Sequence, residues 1–367
     1  MGWDGKDQGV YVSASKIDVD AIKTTVGEIL RQLDRAVIGY EVEKRIVIAS
    51  LLANGHVLLE GVPGIAKTTL VKALSRALGL SEKKVVEIGG VPYKGFSRIQ
   101  FTPDLMPSDI TGSLVFNIAL KDFEIRFGPI FAYILLADEI NRAVPRTQSA
   151  LLQAMQEREV TIGGRTYPLE IRGQGKFFFV LATQNPVEQE GTYPLPEAQL
   201  DRFMVRLFMG YPKSLEEERK ICELHMNRLT EPVEDVEKVV EPSWVVEAQE
   251  YIAANIKVDS NVTNYIVRLV RSTRPETFDS IKKYFEFGAS PRASIALVRL
   301  SKAVAAMRGS ESVAIEDVDQ VVFHVLNHRV IPNLETVMEV GGGFRARISV
   351  ISEGIELAKK VARGGKP

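Results

Sequence analysis

The feature that most restricts this chain is the run Gly61-Val62-Pro63-Gly64-Ile65-Ala66-Lys67-Thr68-Thr69. The apolar stretch His56-Val57-Leu58-Leu59-Glu60 precedes it and reads as a buried strand; Leu70-Val71-Lys72-Ala73-Leu74 follows and reads as a helix. A strand, a glycine-bearing loop and a Lys-Thr pair opening a helix form a cradle for phosphate. Unpaired N–H groups at a helix start attract anionic oxygens, and glycines let the ligand come close to the backbone. Lys67 suits the β- and γ-phosphates of a nucleotide, and the Thr68 hydroxyl suits Mg2+. Ala66 replaces the usual glycine before the lysine; its methyl fits if the residue is already helical.

Three further places carry chemistry on condition that the cradle is real. The buried strand Ile134-Leu135-Leu136-Ala137 ends in Asp138-Glu139. Asp138 can hold Mg2+ through its water shell, and Glu139 can polarise an attacking water. The bland alternative is a strand capped by solvated acids. A second buried strand, Phe177 to Ala182, runs into Asn185, whose amide could orient that water; otherwise it is a turn residue. Arg202 follows the Pro-rich run Tyr193–Glu197 and could reach a neighbouring subunit's nucleotide, with a salt bridge to Asp201 as the alternative. Ser290-Pro291-Arg292 is a helix start, with Ser as cap and Pro in the first turn. A cation in a first turn opposes the helix dipole, so Arg292 implies a phosphate or a nearby carboxylate.

The rest of the 367 residues divides by character. Strands alternate with helices as far as Tyr211-Pro212, which predicts a parallel α/β sheet. Beyond it the pattern is almost wholly helical. The expected division is a disordered N-terminus over 1–15, an α/β nucleotide-binding core over 16–212, a helical lid over 213–335, and a C-terminal linker and helix over 336–367. The turn Val37–Tyr40 stands beside the phosphate-loop domain, making Ile38 and Gly39 candidate nucleotide contacts. Leu80 to Ser97 reads as loop. Hairpins are expected at Leu114–Phe127 and Val160–Leu169.

A net charge of -1, from 46 basic and 47 acidic residues, offers no basic excess for nucleic acid. The single cysteine, Cys222, excludes an internal disulfide and reads as a half-buried small apolar residue. The first residues lack a signal-peptide pattern, and the apolar stretch Ile130–Ala137 is too short to span a bilayer. A cytoplasmic protein with no membrane span is expected.

Taken together, these stretches resemble an AAA+ ATPase, specifically one of the MoxR family. The resemblance rests on Gly61–Thr68, Phe101–Gly112, Gly128–Arg142, Leu151–Ile162, Leu181–Phe203 and Gly288–Ala293, and it covers most of Ile38 to Pro332. The run Asn185-Pro-Val-Glu-Gln-Glu-Gly-Thr-Tyr-Pro-Leu-Pro-Glu-Ala-Gln-Leu-Asp-Arg-Phe203 is its most specific part. The resemblance implies Lys67 and Thr68 at Walker A, and Asp138 and Glu139 at Walker B. It also implies Asn185 at sensor 1, Arg202 as an arginine finger acting in trans, and Arg292 at sensor 2. It implies a five-stranded parallel sheet, with the first hairpin as the helix-2 insert and the second as the pre-sensor-1 hairpin, followed by an all-α lid. ATP and Mg2+ would be bound by a homo-oligomer, a hexameric ring. That ring would remodel or mature protein clients, including metal insertion, with a von Willebrand factor A domain partner. The Leu80–Ser97 segment and the tail after Gly341 are longer than is usual in the family. A magnesium-chelatase-like motor and a helicase-like nucleic-acid motor are the rival readings.

Overall fold

Seven consecutive residues, Ala132–Asp138, are buried to the last, as a strand flanked on both sides must be. They form the centre of the sheet in a computed structural model that describes residues 17–185 and 191–364. The segment 1–15 expected to be disordered, and residues 186–190 of the specific run, lie outside the described residues.

The chain opens with α1 (Val19–Asp34) and α2 (Glu41–Leu52), then β1 (Val57–Glu60) and α3 (Lys67–Ala77). β2 (Val85–Ile88), β3 (Val91–Gln100), α4 (Pro107–Thr111), β4 (Gly112–Asn117), β5 (Asp122–Phe127) and β6 (Ala132–Asp138) follow. Next are α5 (Pro145–Glu157), β7 (Glu159–Ile162), β8 (Arg165–Pro168), β9 (Phe179–Gln184), α6 (Glu197–Leu200) and β10 (Val205–Phe208). The remainder comprises α7 (Leu215–Met226), α8 (Pro242–Asn255), α9 (Ser260–Ser272), β11 (Phe285–Phe287), α10 (Pro291–Arg308) and α11 (Ile315–Leu326). β12 (Ile331–Pro332), α12 (Leu334–Glu339) and α13 (Gly343–Ala362) complete it.

The main sheet has the order β10-β1-β9-β6-β3-β2. The first five strands pair in parallel, as expected; β2 adds an antiparallel sixth at the β3 edge. This corrects the loop reading of Leu80–Ser97. β2 and β3 form a hairpin around Gly89-Gly90, both at positive φ, with Ile88 paired to Val91. A two-residue Gly-Gly connection between β-branched runs is the turn such a hairpin requires. The short strand β10 had no counterpart in the sequence reading. Its alternating Val-Arg-Leu-Phe is four residues long and pairs only along β1.

Both expected hairpins are present, β4–β5 and β7–β8. They touch where a Cβ on Gly163 would meet the Leu114 side chain. The helical region packs against α1, α2 and β10. α10 lies against α1, α2, α8, α9 and α11, and α13 lies along α9. Ile351, Ile355 and Ala358 of α13 are buried in the common core, so the last helix is an integral part of the helical layer.

Candidate functional site

Parallel pairing aligns strand ends, and here it aligns the chemistry. Glu60 pairs with Gln184, Ala137 with Ala182, and Gln100 with Asp138. The loop after β1, the acids after β6 and the amide after β9 therefore emerge together at the carboxyl edge of the sheet. Ligands in open α/β sheets bind at such an edge. The cleft there is lined by Pro63 through Thr69, Asp138, Glu139, Thr183, Asn185, Ile38 and Tyr40, among others.

In the phosphate loop, Gly64 has φ +81, a conformation that glycine enters freely. Gly61 needs its missing side chain for another reason: a Cβ there would lie 2.3 Å from the Met209 carbonyl oxygen. Ala66 is not helical, contrary to expectation. It is the left-handed residue before α3, at φ 63 and ψ 20. An L-residue there pays about 1–2 kcal/mol, and its position leaves the first N–H groups of α3 facing the cleft. The Lys67 ammonium donates to the carbonyl oxygens of Gly61 and, at 3.1 Å, Val62. Burial lowers the Lys67 pKa, while Asp138, Glu139 and Glu60 act in the opposite direction.

Asp138, 8% exposed, accepts from the Thr183 hydroxyl at 2.6 Å through Oδ1 and from Arg98 through Oδ2. Thr183 in turn accepts from the Glu139 N–H at 2.9 Å. This cross-strand bridge holds Glu139 in the left-handed region, at φ 56 and ψ 50, where its carboxylate turns toward the cleft. Glu139 Oε2 accepts from Gln100 Nε2 at 2.8 Å and pairs with Arg142 at 2.9 Å. Asn185 is buried at the cleft, its carbonyl 3.5 Å from Asn141 Nδ2. The sequence reading missed Arg98, Gln100, Arg142 and Thr183. The alternation of β3 was the available signal for two of them, since residues 98 and 100 share a face and end beside the Asp138 strand.

Arg202 and Arg292 are placed elsewhere. They share a second cavity, of about 400 Å³, with Asn54, His56, Arg158, Arg299 and Arg329. His56 precedes β1 and Met204 precedes β10, so this cavity is at the amino edge of the same parallel strands. Arg202 donates to the Leu152 carbonyl at 2.8 Å. Ser290 caps α10 by accepting from the Arg292 N–H, as the sequence implied. The Arg292 guanidinium is 3.3 Å from Asp201 and its side chain is 57% exposed. The carboxylate anticipated near Arg292 is thus Asp201, which also lies next to Arg202 in sequence.

The structure brings Pro63 to Thr69, Asp138, Glu139, Asn185 and Ile38 to one cleft and leaves Arg202 and Arg292 at the other end of the sheet. Gly61 and Val62 border the cleft through their carbonyls, and Gly39 faces Glu217 instead. Cys222 corrects its sequence reading: it is exposed, on a helix whose side wall borders the cleft. The Thr68 hydroxyl and the Asp138 carboxylate are hard oxygen donors on one cleft. That sparse set fits Mg2+, which is typically held by one or two protein oxygens plus substrate phosphates. Among the described residues no helix is long and apolar enough to cross a membrane.

Known proteins resemble this chain in sequence and fold. The family described as "ATPase family associated with various cellular activities (AAA)" matches residues 56–205, and the AAA lid domain matches residues 279–341. The chain is 42% identical to chaperone MoxR1 of Mycobacterium tuberculosis, covering 84% of this chain and 76% of that protein. It is 41% identical to the uncharacterized protein YeaC of Bacillus subtilis, over 86% and 89% of the two chains. It is 30% identical to protein MoxR of Methylorubrum extorquens, over 84% and 88%. A solved structure of a candidate ATPase from Cytophaga hutchinsonii superposes with a TM-score of 0.77 at 37% identity, covering 92% of this chain and 96% of that one.

Proposed function

Because this chain belongs to the MoxR family of AAA+ ATPases, we propose that it hydrolyses ATP with Mg2+ at seams between copies arranged in a closed, hexameric ring. One copy supplies the cradle: Lys67 and the α3 N–H groups bind the phosphates, and Thr68 and Asp138 hold the metal. Bound Mg2+ neutralises charge on the phosphates. Glu139 takes the proton of the attacking water, and Asn185 orients that water. The next copy lends Arg202 and Arg292 to the charge that develops in transfer.

The observation that carries this reading is the separation of the two clusters along one sheet. The four residues of β1 separate His56 from Gly61, about 13 Å of buried strand. That Arg202 lines the cavity at the opposite end from the cleft of its own chain supports its presentation by a head-to-tail neighbour. A ring of such contacts closes by rotation.

The work done is remodelling or maturation of protein clients, including metal insertion, in the cytoplasm and with a von Willebrand factor A domain partner. The relative named a chaperone supports a protein client. So does the β4–β5 hairpin, which exposes Phe116, Ile118, Leu120 and Phe123, an apolar tip suited to unfolded chain rather than to nucleic acid.

The test is a mixture. Lys67→Ala rings and Arg202→Ala rings are each expected to be inactive, and mixed subunits to regain hydrolysis, because an intact cradle then meets an intact arginine. No regain at any ratio would remove the shared site.

A further inference from the structure

Buried donors aimed at backbone carbonyls carry information about what must be held still, and the turn after α11 has three of them in a row. Asn327 Nδ2 donates to the Arg206 carbonyl at 2.9 Å. His328 Nε2 meets the Phe203 carbonyl at 3.1 Å. Arg329 aims its guanidinium at the same segment, with Nε to Asp201 Oδ1 at 2.7 Å, Nη1 to the Met204 carbonyl at 3.0 Å and Nη2 to the Phe203 carbonyl at 2.6 Å, while Nη1 also donates to the Val325 carbonyl of α11 at 2.6 Å. All three side chains are buried, Arg329 to 3% exposure. Their partners on that segment are over 120 residues away in sequence and flank Arg202 on both sides. Asp201 then passes the constraint on, since its second oxygen pairs with Arg292 at 3.3 Å and lies 3.4 Å from the Ser290 hydroxyl.

We infer that Asn327-His328-Arg329 is a clamp by which the helical layer positions Arg202 and Arg292 as one rigid pair facing the neighbouring copy. Arg329 is the chief positioning residue. The inference rests on the reading that both arginines act in trans. A buried guanidinium with a carboxylate and several carbonyls is costly to assemble and fixes geometry better than a flexible contact. Arg202 is in the core and Arg292 in the helical layer, so without the clamp their spacing would vary with every movement of one against the other. Misplacing a charge-stabilising group by about 1 Å can cost on the order of a hundredfold in rate.

Complementation between full-length variants separates positioning from general damage. Arg329→Gln is expected to bind a fluorescent ATP analogue within threefold of the unaltered protein and to hydrolyse ATP at least tenfold more slowly. Mixed with Lys67→Ala it should regain hydrolysis; mixed with Arg202→Ala it should not, because both lack a working arginine face. Asn327→Ala, which removes one clamp bond, is expected to behave alike with a loss of at least threefold, and stands in if Arg329→Gln does not melt cooperatively. Unchanged hydrolysis in both variants, a tenfold loss of analogue affinity, or no regain with Lys67→Ala would overturn the clamp. Failure of the Arg202→Ala and Lys67→Ala mixture itself would sink the shared site, and the clamp with it.

Discussion

The two ends of the sheet are built by different means. At the carboxyl edge, each functional group is delivered by the strand immediately before it: Lys67 after β1, Glu139 after β6, Asn185 after β9. At the amino edge, Arg202, Arg292 and Arg329 come from three separate segments: Asp201, the chain neighbour of Arg202, pairs with the other two, and Arg329 also donates to the Phe203 and Met204 carbonyls. The groups at the carboxyl edge are thus delivered locally in sequence, although Thr183, Arg98 and Gln100 on neighbouring strands hold the two acids. The amino edge depends on how the helical layer sits on the core.

The largest expected effect tests this division directly. Arg202→Ala should lower turnover by roughly a thousandfold or more and leave ATP affinity nearly unchanged, read by hydrolysis assay and by titration calorimetry. A matching fall in affinity would put Arg202 in its own chain's cleft. Glu139→Gln should lower turnover by roughly a hundredfold or more while ATP stays bound, because the amide keeps a polar group in place but cannot take a proton. Lys67→Ala should weaken ATP binding on the order of a hundredfold, with melting of the apo protein little changed.

A smaller effect is a pH dependence of stability that arises at the amino edge. His56 accepts from the Val180 N–H at 3.0 Å through Nδ1 and faces the Met155 carbonyl through Nε2, so only the neutral ring satisfies both. Burial holds the His56 and His328 pKa values well below the usual imidazole value, with nearby arginines adding to the effect. Because these folded-state values are depressed, the unfolded chain takes up protons first. Stability is full above about pH 6.5 and falls as pH drops below it, by up to about 1.4 kcal/mol per unit for each histidine. Thermal melting from pH 7.5 to 5 checks this, and His56→Gln should flatten the slope. The smallest effect is Ala66→Gly. It relieves the left-handed alanine but loosens the unfolded chain, so stability should move by less than about 1 kcal/mol and ATP affinity by less than twofold.

Legibility followed the same line. The phosphate loop, both acids and Asn185 were readable because strand, turn and helix signals are contiguous. The β2–β3 hairpin was not legible as strand, despite Gly89-Gly90, because Pro92 and Gly95 are residues that local signals assign to loops. β10 was missed because four alternating residues carry little signal. Arg98 and Gln100 carry no local mark of a site; only register puts them opposite Leu136 and Asp138. Asn327, His328 and Arg329 gave no local sign at all, ending a helix in polar residues as many helices do.

The chain alone determined that a glycine-bearing loop, a pair of acids and a polar amide would lie at strand ends, because hydrophobic runs and glycines act over a few residues and need no distant partner. Tertiary structure decided that the arginines face away from that cradle and that a buried guanidinium 127 residues beyond Arg202 holds their turn. Contacts of that range depend on which faces pack together, and burial and charge pairing express that only once the chain has closed.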